Sequence, residues 1–527
     1  MTQTSRSNFQ IKAGATLGYV NYALKMGVQL LYVPILLRLL GQNEYGIYQL
    51  VASVISYLGL LNFGFGGAYL RFYAQCRGDI KKEGQLNGTY LLIFCFFALL
   101  AGIAGTLLTA YSDAILGSKL STNELGLAKV LLGIMTLNMV ITFPSSVFSA
   151  IVSSKEQFVF LRLVEMLQTL FNPFLTILLL LLGYGAVGVV CVGTVLSVIG
   201  FAANLLFVHF RIKAPFSFRS FHFSLVREIG AFSFFLFLNS VIDQINWNVD
   251  KFLLGRFVGA AAIAVYSVGA QINNIYVQLA DMMATVFAPR VNQIAANEQT
   301  PMTMLNALFI KVGRLQSLIV FAVVSGFTLF GKAFITLWAG PEYEEAYYVT
   351  LLLIIPISIP LCQTLGVDIQ RALNKHQYRS VIYALMSVAN LGISIPLAKL
   401  FGAIGAALGT TISLLVCNGL IMNILYHKVV GLDVLAFWSK ILRLLPTIIP
   451  PCIITSVIKK IVPMESWGML VLEIANFVVI YIVCICLFGL NEAEKKQAKK
   501  AIVQLKRKIC DEPRSSFGVQ NDPEEDA

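Results

Sequence analysis

Residues 253–267 read LLGRFVGAAAIAVYS, and they match LLRLLGQNEYGIYQL at residues 36–50 in several positions. Three residues recur in the same order, 218 positions apart: Arg38 as Arg256, Gly41 as Gly259 and Tyr48 as Tyr266. Two shorter matches follow the same order: KEQF at 155–158 with KHQY at 375–378, and GAVG at 185–188 with GAIG at 402–405. Matches in one order at nearly constant displacement indicate that the chain contains an internal repeat.

The repeated units consist of hydrophobic segments. Of the 527 residues, 57% are hydrophobic and only 13% are charged, whereas soluble proteins have about 25% charged residues. Apolar runs of about 20 residues recur along the chain, and each is long enough to cross a bilayer as a helix. These runs are too long for the strands of a membrane barrel. The sequence therefore predicts an all-α polytopic membrane protein with about fourteen transmembrane helices.

The repeat also predicts the domain organisation. Each copy holds about six spans, and an even number of spans preserves orientation, so the two lobes should be parallel repeats around an axis along the membrane normal. The first span leads directly into a hairpin, which favours a retained span over a cleaved signal peptide. The predicted units are an N-terminal six-helix lobe (1–218), a C-terminal six-helix lobe (219–435), an additional two-helix hairpin (436–490) and a charged cytoplasmic tail (491–527).

The net charge of +12 is distributed in a way that indicates membrane topology. If the N-terminus is inside, most loop Lys and Arg residues lie on the cytoplasmic side, which is the positive-inside pattern. Both termini are therefore predicted to be cytoplasmic. We interpret the basic segments as topology signals that contact anionic membrane lipids, and this placement argues against binding to nucleic acid.

No pattern in the sequence is typical of a metal, cofactor or catalytic site. The nine cysteines lie mostly inside spans, the four histidines are scattered singly, and no metal-type CxxC pair is present. The segment GFTLFGKA at 326–333 nearly matches a phosphate-binding loop, but Ala333 replaces the hydroxyl that would bind Mg²⁺. No nucleophile–base pair stands out. We expect no enzyme activity and no cofactor, and transport driven by an ion gradient or by the gradient of the cargo.

Polar side chains form stripes along three predicted spans. In the seventh span, spacing of i, i+4, i+7 and i+11 places four polar residues on one helix face. The first and eighth spans carry similar stripes. The predicted lumen residues are Asn21, Lys25 and Gln29 of the first span, Asn239, Asp243, Asn246, Asp250 and Lys251 of the seventh, and Gln271, Asn274, Gln278 and Asp281 of the eighth.

Charged side chains in the middle of a bilayer cost roughly 2.5–3.5 kcal/mol when they face lipid. We therefore expect these residues to face a water-filled lumen that carries a polar cargo. An alternative is that Lys25 and the aspartates form a buried ion pair that joins the lobes. Asp250 and Lys251 could instead lie at the membrane interface. Arg71 and Arg290 are placed at the cytoplasmic mouth, where anchoring at the interface explains them better than cargo contact does.

PILLRLLGQNEYGIYQL at 34–50 and VDKFLLGRFVGAAAIAVYSVGAQI at 249–272 resemble the half-signatures of Wzx-type polysaccharide flippases. These belong to the multidrug/oligosaccharidyl-lipid/polysaccharide exporter superfamily, and the resemblance covers about the first to the twelfth span. It implies two lobes around a V-shaped cavity. A total of fourteen spans resembles the number in the lipid II flippase branch more than the twelve of other members. The resemblance also implies transport of undecaprenyl-pyrophosphate-linked oligosaccharide repeat units across the bacterial inner membrane, for surface polysaccharide such as O-antigen, capsule or exopolysaccharide.

Several roles follow as hypotheses from this resemblance. Lys25 would attract the pyrophosphate, the Asn and Gln stripes would bind sugar hydroxyls, and Asp243 or Asp281 would take up H⁺ or Na⁺. The implied partners are the lipid-linked oligosaccharide, membrane lipids and other polysaccharide-assembly proteins. A cation-coupled multidrug exporter and a lipid II-type flippase stay open as alternatives on the same architecture. A membrane-embedded glycan polymerase or ligase ranks last, because the longest predicted outer loops (111–124 and 331–345) are short.

Overall fold

The structure is a computed structural model that describes residues 3–62, 65–116, 119–218, 223–285, 287–295, 302–461 and 466–489. Throughout these ranges the chain is helical and contains no strand. The predicted fold class, an all-α polytopic membrane protein, is confirmed. The helices of the first half are α1 (Gln3–Leu58), α2 (Phe65–Cys76), α3 (Ile80–Ala110), α4 (Ser112–Leu116), α5 (Thr122–Ser154), α6 (Phe158–Leu181) and α7 (Gly185–Leu206).

The remaining helices extend from residue 223 to residue 484. They are α8 (Phe223–Phe257), α9 (Ala260–Thr285), α10 (Ala288–Ala295), α11 (Met302–Trp338), α12 (Ala346–Cys362), α13 (Thr364–Ala372), α14 (His376–Leu414), α15 (Met422–Leu425), α16 (Val434–Leu442), α17 (Ile449–Ile461) and α18 (Trp467–Cys484). Short π-helical turns continue α7, α14, α15 and α18 at Phe207–Ile212, Leu415–Ile421, Tyr426–Val430 and Ile485–Gly489.

Two of the long helices contain a break at a repeated glycine. In α1 the break is at Gly41 (φ 73°), and in α14 it is at Gly402 (φ 59°). Their repeat partners also have positive φ: Gly259 (φ 133°) separates α8 from α9, and Gly185 (φ 53°) begins α7. A positive φ favours glycine because a Cβ atom would clash with the backbone. The glycines that reveal the repeat in the sequence are therefore the residues at which consecutive spans turn.

The number of spans depends on how these breaks are counted. Among the described residues, nine helices are long and apolar enough to cross a membrane, or ten if the bent pair α12–α13 is one span. Helix α1 has 56 residues, about twice the roughly 20 residues that one crossing needs. Helices α8 and α9, which carry two of the three polar stripes, are not among these nine helices. The count of fourteen spans and the bounds of the four predicted units stay predictions, and the tail at 491–527 lies outside the described residues.

The two halves share a hydrophobic core on one side of the molecule. One cluster combines Leu37, Ile47 and Leu50 of the first half with Ile263 and Trp338 of the second. Further clusters lie at the opposite helix ends, where one is built from the second half and another from the first half together with Ile229 of α8. The charge pattern predicts that the shared core lies on the outer side and the separate cores on the cytoplasmic side.

Reciprocal arginine contacts join the halves beside the shared core. Arg38 of the first half donates a hydrogen bond to the carbonyl oxygen of Leu337 (2.9 Å). Its repeat partner, Arg256 of the second half, donates to the carbonyl oxygens of Ala114 (3.2 Å) and Ile115 (3.1 Å). Each half thus contributes one arginine that holds main-chain carbonyls near a helix C-terminus of the other half, where the helix dipole favours a cation.

Candidate functional site

A cavity of about 560 Å³ lies within the second half, between α8, α9, α12, α13 and α14. This volume is within the range of roughly 300–1,000 Å³ that is typical of small-molecule sites. Aromatic rings and polar groups line it together, which is unusual for a region inside membrane-spanning helices. The polar and aromatic lining residues are Asp243, Asn246, Trp247, Asp281, Gln363, Thr364, Asp368, Arg371, Arg379, Tyr383, Thr410, Asn418 and Tyr426.

Carboxylates and guanidinium groups face each other across this cavity. Asp243 of α8 is exposed to it, and Asp281 of α9 is half-buried. Asp368 and Arg371 of α13 form an ion pair one helical turn apart (3.6 Å). The guanidinium of Arg379 lies over the ring of Tyr383, 4.5 Å from the ring centroid.

Two buried amides in the lining have atoms without a hydrogen-bond partner. Asn246 is 6% exposed and its Oδ1 is unpaired, while Asn418 is 2% exposed and its Nδ2 is unpaired. The Oδ1 atom of Asn418 accepts a hydrogen bond from the Tyr383 hydroxyl (2.7 Å), which fixes the direction of its Nδ2. Buried polar atoms of this kind normally find a partner in protein, water or ligand. An occupant or a water molecule that reaches these two atoms would complete their hydrogen bonding.

The polar stripe of the first span does not reach this cavity. Asn21 is buried against α6, where its Nδ2 donates to Glu165 Oε2 (3.0 Å). The same oxygen pairs with Arg162 (2.8 Å), as the i, i+3 spacing of these two residues favours. Lys25 is exposed and Gln29 is half-buried, and neither is among the residues that line the cavity. A lumen role for these three residues stays a prediction.

The C-terminal half of the α8 stripe is enclosed by protein. Asp250 is 0% exposed, and its Oδ2 accepts hydrogen bonds from the hydroxyls of Tyr266 and Thr410 (2.8 Å for Thr410). Its neighbour Lys251 is half-buried and donates to Gln49 Oε1 of the first half (3.1 Å). Asp250 therefore lies inside the second half between α8, α9 and α14, whereas Lys251 bridges the two halves.

The other predicted residues are spread over several environments. On α9, Gln271 and Gln278 are half-buried and Asn274 is exposed, so Asp281 is the member of this stripe that lines the cavity. Asn239 belongs to α8, but its side chain lies outside the described part of the chain. The predicted mouth residues Arg71 of α2 and Arg290 of α10 are both exposed.

A second polar cavity, of about 470 Å³, lies in the first half between α5, α6 and α7. Hydroxyls of α5 at helical spacing form one wall, namely Thr142, Ser145, Ser149 and Ser153. Arg162, Glu165 and Gln168 of α6 form another. Within the described ranges, no cluster of three or more His, Cys, Asp or Glu residues is suited to a metal ion. The chemistry that these cavities offer is hydrogen bonding and charge.

Two important residues of the larger cavity were not among the predicted lumen residues. The charge pattern places Arg379 in a basic loop on the predicted cytoplasmic side, and no pattern in the sequence singles out Asn418. The structure places Arg379 in the first turns of α14 and Asn418 in the π-helical turn that follows α14. The spacing of Arg379 and Tyr383, i and i+4 on one helix, was the available signal.

The sequence profile of the family described as polysaccharide biosynthesis protein matches residues 35–348, more than half of the chain. The chain belongs to this polysaccharide biosynthesis family. The matched region contains the half-signature at 249–272, all but the first residue of the half-signature at 34–50, and the helices α8 and α9 that line the cavity.

Relatives within and beyond the polysaccharide biosynthesis family span most of the chain. EpsK of Bacillus subtilis (strain 168), described as an uncharacterized membrane protein, is 22% identical over 474 residues, which is 85% of this chain and 90% of EpsK. A putative O-antigen transporter of Shigella flexneri is 21% identical over 422 residues, 77% of this chain and 95% of the transporter. The lipid II flippase MurJ, in an inward closed conformation, shares the fold with a TM-score of 0.71 and 14% identity, over 90% of this chain and 98% of MurJ.

These matches confirm the predicted recognition at the level of the polysaccharide biosynthesis family, and the lipid II flippase MurJ shares the fold. The protein is a multi-pass membrane protein of a polysaccharide biosynthesis family with transporter relatives. One of those relatives is described as a putative O-antigen transporter, and the protein that shares the fold is described as a lipid II flippase.

Proposed function

We propose that the protein is a flippase that moves undecaprenyl-pyrophosphate-linked oligosaccharide repeat units from the cytoplasmic to the outer leaflet of a bacterial inner membrane. The observation that carries this proposal is the polar cavity of about 560 Å³ among the helices of a multi-pass membrane protein that belongs to a polysaccharide biosynthesis family. A lipid-linked sugar has a polar head group that cannot enter hydrocarbon. Polar side chains inside a bilayer cost free energy, and the need to bind such a head group would explain why they are present.

The cavity offers the groups that a sugar head requires. Carboxylates such as Asp243 and amides such as Asn246 bind hydroxyl groups, and an aromatic ring such as Trp247 packs against the apolar face of a sugar. Trp247 is 39% exposed, so its indole ring is available to a ligand. The lipid tail would remain in the bilayer while the head crosses between the lobes.

Alternating access is the transport mechanism that the packing supports. The halves share a core on the predicted outer side, while their cores at the opposite helix ends are largely separate. This arrangement is expected for an inward-facing state, in which the cytoplasmic side is open and the outer side is closed. We propose that Asp243 or Asp281 takes up H⁺ or Na⁺ to drive the change to the outward-facing state.

The test is complementation of a bacterial strain that lacks its own flippase for the same polysaccharide. We expect the intact protein to restore surface polymer and to remove the lipid-linked repeat unit that accumulates on the cytoplasmic face. Absence of restoration by a protein that is well expressed in the membrane would refute the proposed function.

Lys25 provides a mutational test in the same strain. We expect Lys25→Ala to reduce polymer output, because its exposed ammonium group is proposed to attract the pyrophosphate of the cargo. Lys81→Ala, which removes an exposed lysine from the start of α3, serves as the matched control and should behave as the intact protein. Full polymer output from a normally expressed Lys25→Ala protein would contradict the role of Lys25 and leave the flippase proposal standing.

A multidrug exporter is the second candidate, because three carboxylates and two arginines line the cavity and organic cations would be attracted to the excess negative charge. A drug-efflux assay in a pump-deficient strain distinguishes the two candidates. Drug resistance conferred without any restoration of polymer would favour the exporter.

A further inference from the structure

Arg379 is a cation without a contacting anion inside the cavity of the second half. It is half-buried, it lines the cavity, and its Nε atom is buried without a hydrogen-bond partner. Among the described residues, the ion pairs within 4.0 Å do not include it. An arginine withdrawn from water is costly unless an anion or several hydrogen bonds compensate for the lost hydration.

The surrounding charges do not satisfy Arg379. Asp243 of α8 attracts it across the cavity but does not contact it. Asp368 is already paired with Arg371 (3.6 Å), and Asp281 belongs to α9 on another wall. The guanidinium instead rests on the face of Tyr383, 4.5 Å from the ring centroid, and this cation–π contact does not supply the anion that a buried arginine requires.

Asn418 supplies a second donor to the same cavity. Its side chain is 2% exposed, and its Nδ2 has no partner. The Tyr383 hydroxyl donates to its Oδ1 (2.7 Å), so that one tyrosine holds the guanidinium on its ring and the amide at its hydroxyl. Two oriented donors, one of them charged, are the elements of a site for an anion.

We infer that Arg379 and Asn418, held by Tyr383, bind an anionic group of the cargo. The inference rests on the proposed function and adds to it a specific contact in the second half, outside the first-span stripe. Phosphate and carboxylate oxygens accept hydrogen bonds from a guanidinium in the same geometry. The anion has two possible sources, the pyrophosphate linker or an acidic sugar of the repeat unit.

The experiment measures binding to the purified full-length protein in nanodiscs of phosphatidylcholine. Farnesyl pyrophosphate probes the linker and glucuronate probes an acidic sugar, with farnesol and glucose as uncharged counterparts. We expect the intact protein to bind at least one anionic probe more tightly than its uncharged counterpart. Arg379→Gln should weaken that binding about tenfold or more, as loss of a charge-assisted hydrogen bond predicts. Arg379→Lys keeps the charge without the planar donor set and should lie between the two.

Further variants separate binding from folding. Arg77→Gln removes an exposed arginine that pairs with Glu156 (3.9 Å) far from the cavity, and it should bind the probes as the intact protein does. Tyr383→Phe keeps the ring and removes the hydroxyl that orients Asn418, so a smaller loss of affinity than in Arg379→Gln is expected. Only variants whose melting temperature and elution volume match those of the intact protein are compared. If Arg379→Gln does not fold, the loss of affinity is measured with Arg379→Lys.

Each outcome decides the inference separately from the proposed function. Preference for farnesyl pyrophosphate identifies the linker as the source of the anion, and preference for glucuronate identifies an acidic sugar. Equal binding by Arg379→Gln and the intact protein, or no binding of either anionic probe by the intact protein, overturns the anion site. If the intact protein still complements the flippase-deficient strain in those cases, the proposed function survives the loss of the site.

Discussion

Lys155 and Glu83 form a close ion pair at one end of the first half. Lys155 Nζ lies 2.6 Å from Glu83 Oε1, and the two side chains are 30% and 8% exposed. The ammonium also lies over the ring of Tyr73, 5.2 Å from its centroid. The pair fixes the end of α5 to the first turn of α3.

The environment of Lys155 changes its protonation. Burial lowers the pKa of Lys155, but its hydrogen bonds to Glu83 and Tyr73 and their negative charge outweigh burial, so the pKa is raised above the ordinary value of 10.5. A lysine whose pKa is raised by folding contributes stability that is fully present below its unfolded pKa. That contribution is lost as the pH rises through the folded pKa.

We therefore predict that Lys155→Met lowers the free energy of unfolding by about 1–3 kcal/mol, because Glu83 is left buried without its partner. The measurement is the melting temperature of the solubilised protein over a series of pH values, with exposed Lys81→Met as the matched control. The difference from the intact protein should be constant from about pH 6 to pH 9 and should shrink above about pH 10.5. An equal loss in Lys81→Met would show that the pair is not the cause.

The sequence predicted the loop that holds Lys155 but not its partner. KEQF at 155–158 and KHQY at 375–378 align the loops of the two halves, yet Lys375 donates to the carbonyl oxygen of Val429 (2.6 Å) and not to a carboxylate. Glu83 is distant in the sequence, so only tertiary packing brings it to Lys155. Arg379 illustrates the same limit, because a basic residue near a helix start looks like a topology signal until the cavity is known.

Helix α1 packs against helices of both halves, including α6 of the first half and α9 of the second. At Gly46 its backbone lies against the carbonyl group of Ala260 at the start of α9, and a Cβ atom there would overlap that oxygen. At Gly27, in the first part of the same helix, no atom lies within 4 Å of a Cβ position. The two glycines differ in packing, and neither has a positive φ.

We predict opposite effects of alanine at these two positions. Gly46→Ala should force α1 and α9 apart and destabilise the protein by about 1–3 kcal/mol, as overpacking typically does. Gly27→Ala should leave the melting temperature unchanged or raise it, because alanine stabilises a helix by about 0.5–1 kcal/mol relative to glycine. Thermal unfolding of both variants checks the pair, and a Gly46→Ala protein as stable as Gly27→Ala would contradict the close approach of α1 to α9.

Helix periodicity predicted the helices and the residues that share a helix face. It did not predict which helix or cavity each face contacts. Asn21 follows Gly14 and Gly18 at helical spacing, and this face packs on α6: a Cβ at Gly14 would overlap Phe158, and one at Gly18 would touch Arg162. Small residues on a membrane helix favour close helix packing, so these glycines indicated a protein contact for Asn21. Asp243, on a stripe without such glycines, lines the cavity.

At the scale of the whole molecule, the reciprocal contacts of Arg38 and Arg256 hold the predicted outer side closed. Each arginine donates from one half to main-chain carbonyls of the other half. Trp338 adds a further contact between the halves, since its Nε1 donates to the carbonyl oxygen of Leu30 (2.7 Å). An outward-facing state requires all of these bonds to break.

We predict that the double variant Arg38→Gln/Arg256→Gln shifts the protein toward an outward-open state. A hydrogen bond of an exposed arginine contributes about 1 kcal/mol, so each single variant should change the ratio of the two states about fivefold, and the double variant about 25-fold. The measurement is single-molecule energy transfer between fluorophores on exposed Thr122 and Glu345, attached through an unnatural amino acid because the chain has nine cysteines.

Lysine variants at the same two positions serve as the matched control, because lysine keeps the charge and one donor. They should remain closer to the intact protein than the glutamine variants. If the double glutamine variant has the same distribution of distances as the intact protein, the arginines do not hold this side closed.

The repeat and the charge pattern predicted two lobes with a defined orientation, and the shared core agrees with a molecule closed on one side. The location of the cavity could not be predicted, because it depends on how α12, α13 and α14 bend around α8 and α9. These helices carry Pro356, Pro360 and the break at Gly402, and the sequence gives the positions of such bends but not their direction.

The acceptors of Arg38 and Arg256 are carbonyl oxygens of the main chain, which every amino acid possesses. Leu337, Ala114 and Ile115 can therefore change during evolution without removal of the contact, while the two arginines cannot. Patterns of correlated substitution among relatives would consequently miss this connection between the halves, although they would detect contacts between side chains such as Asn21 with Glu165. Relatives could therefore differ at all three acceptor positions and still keep the bonds that join the two halves.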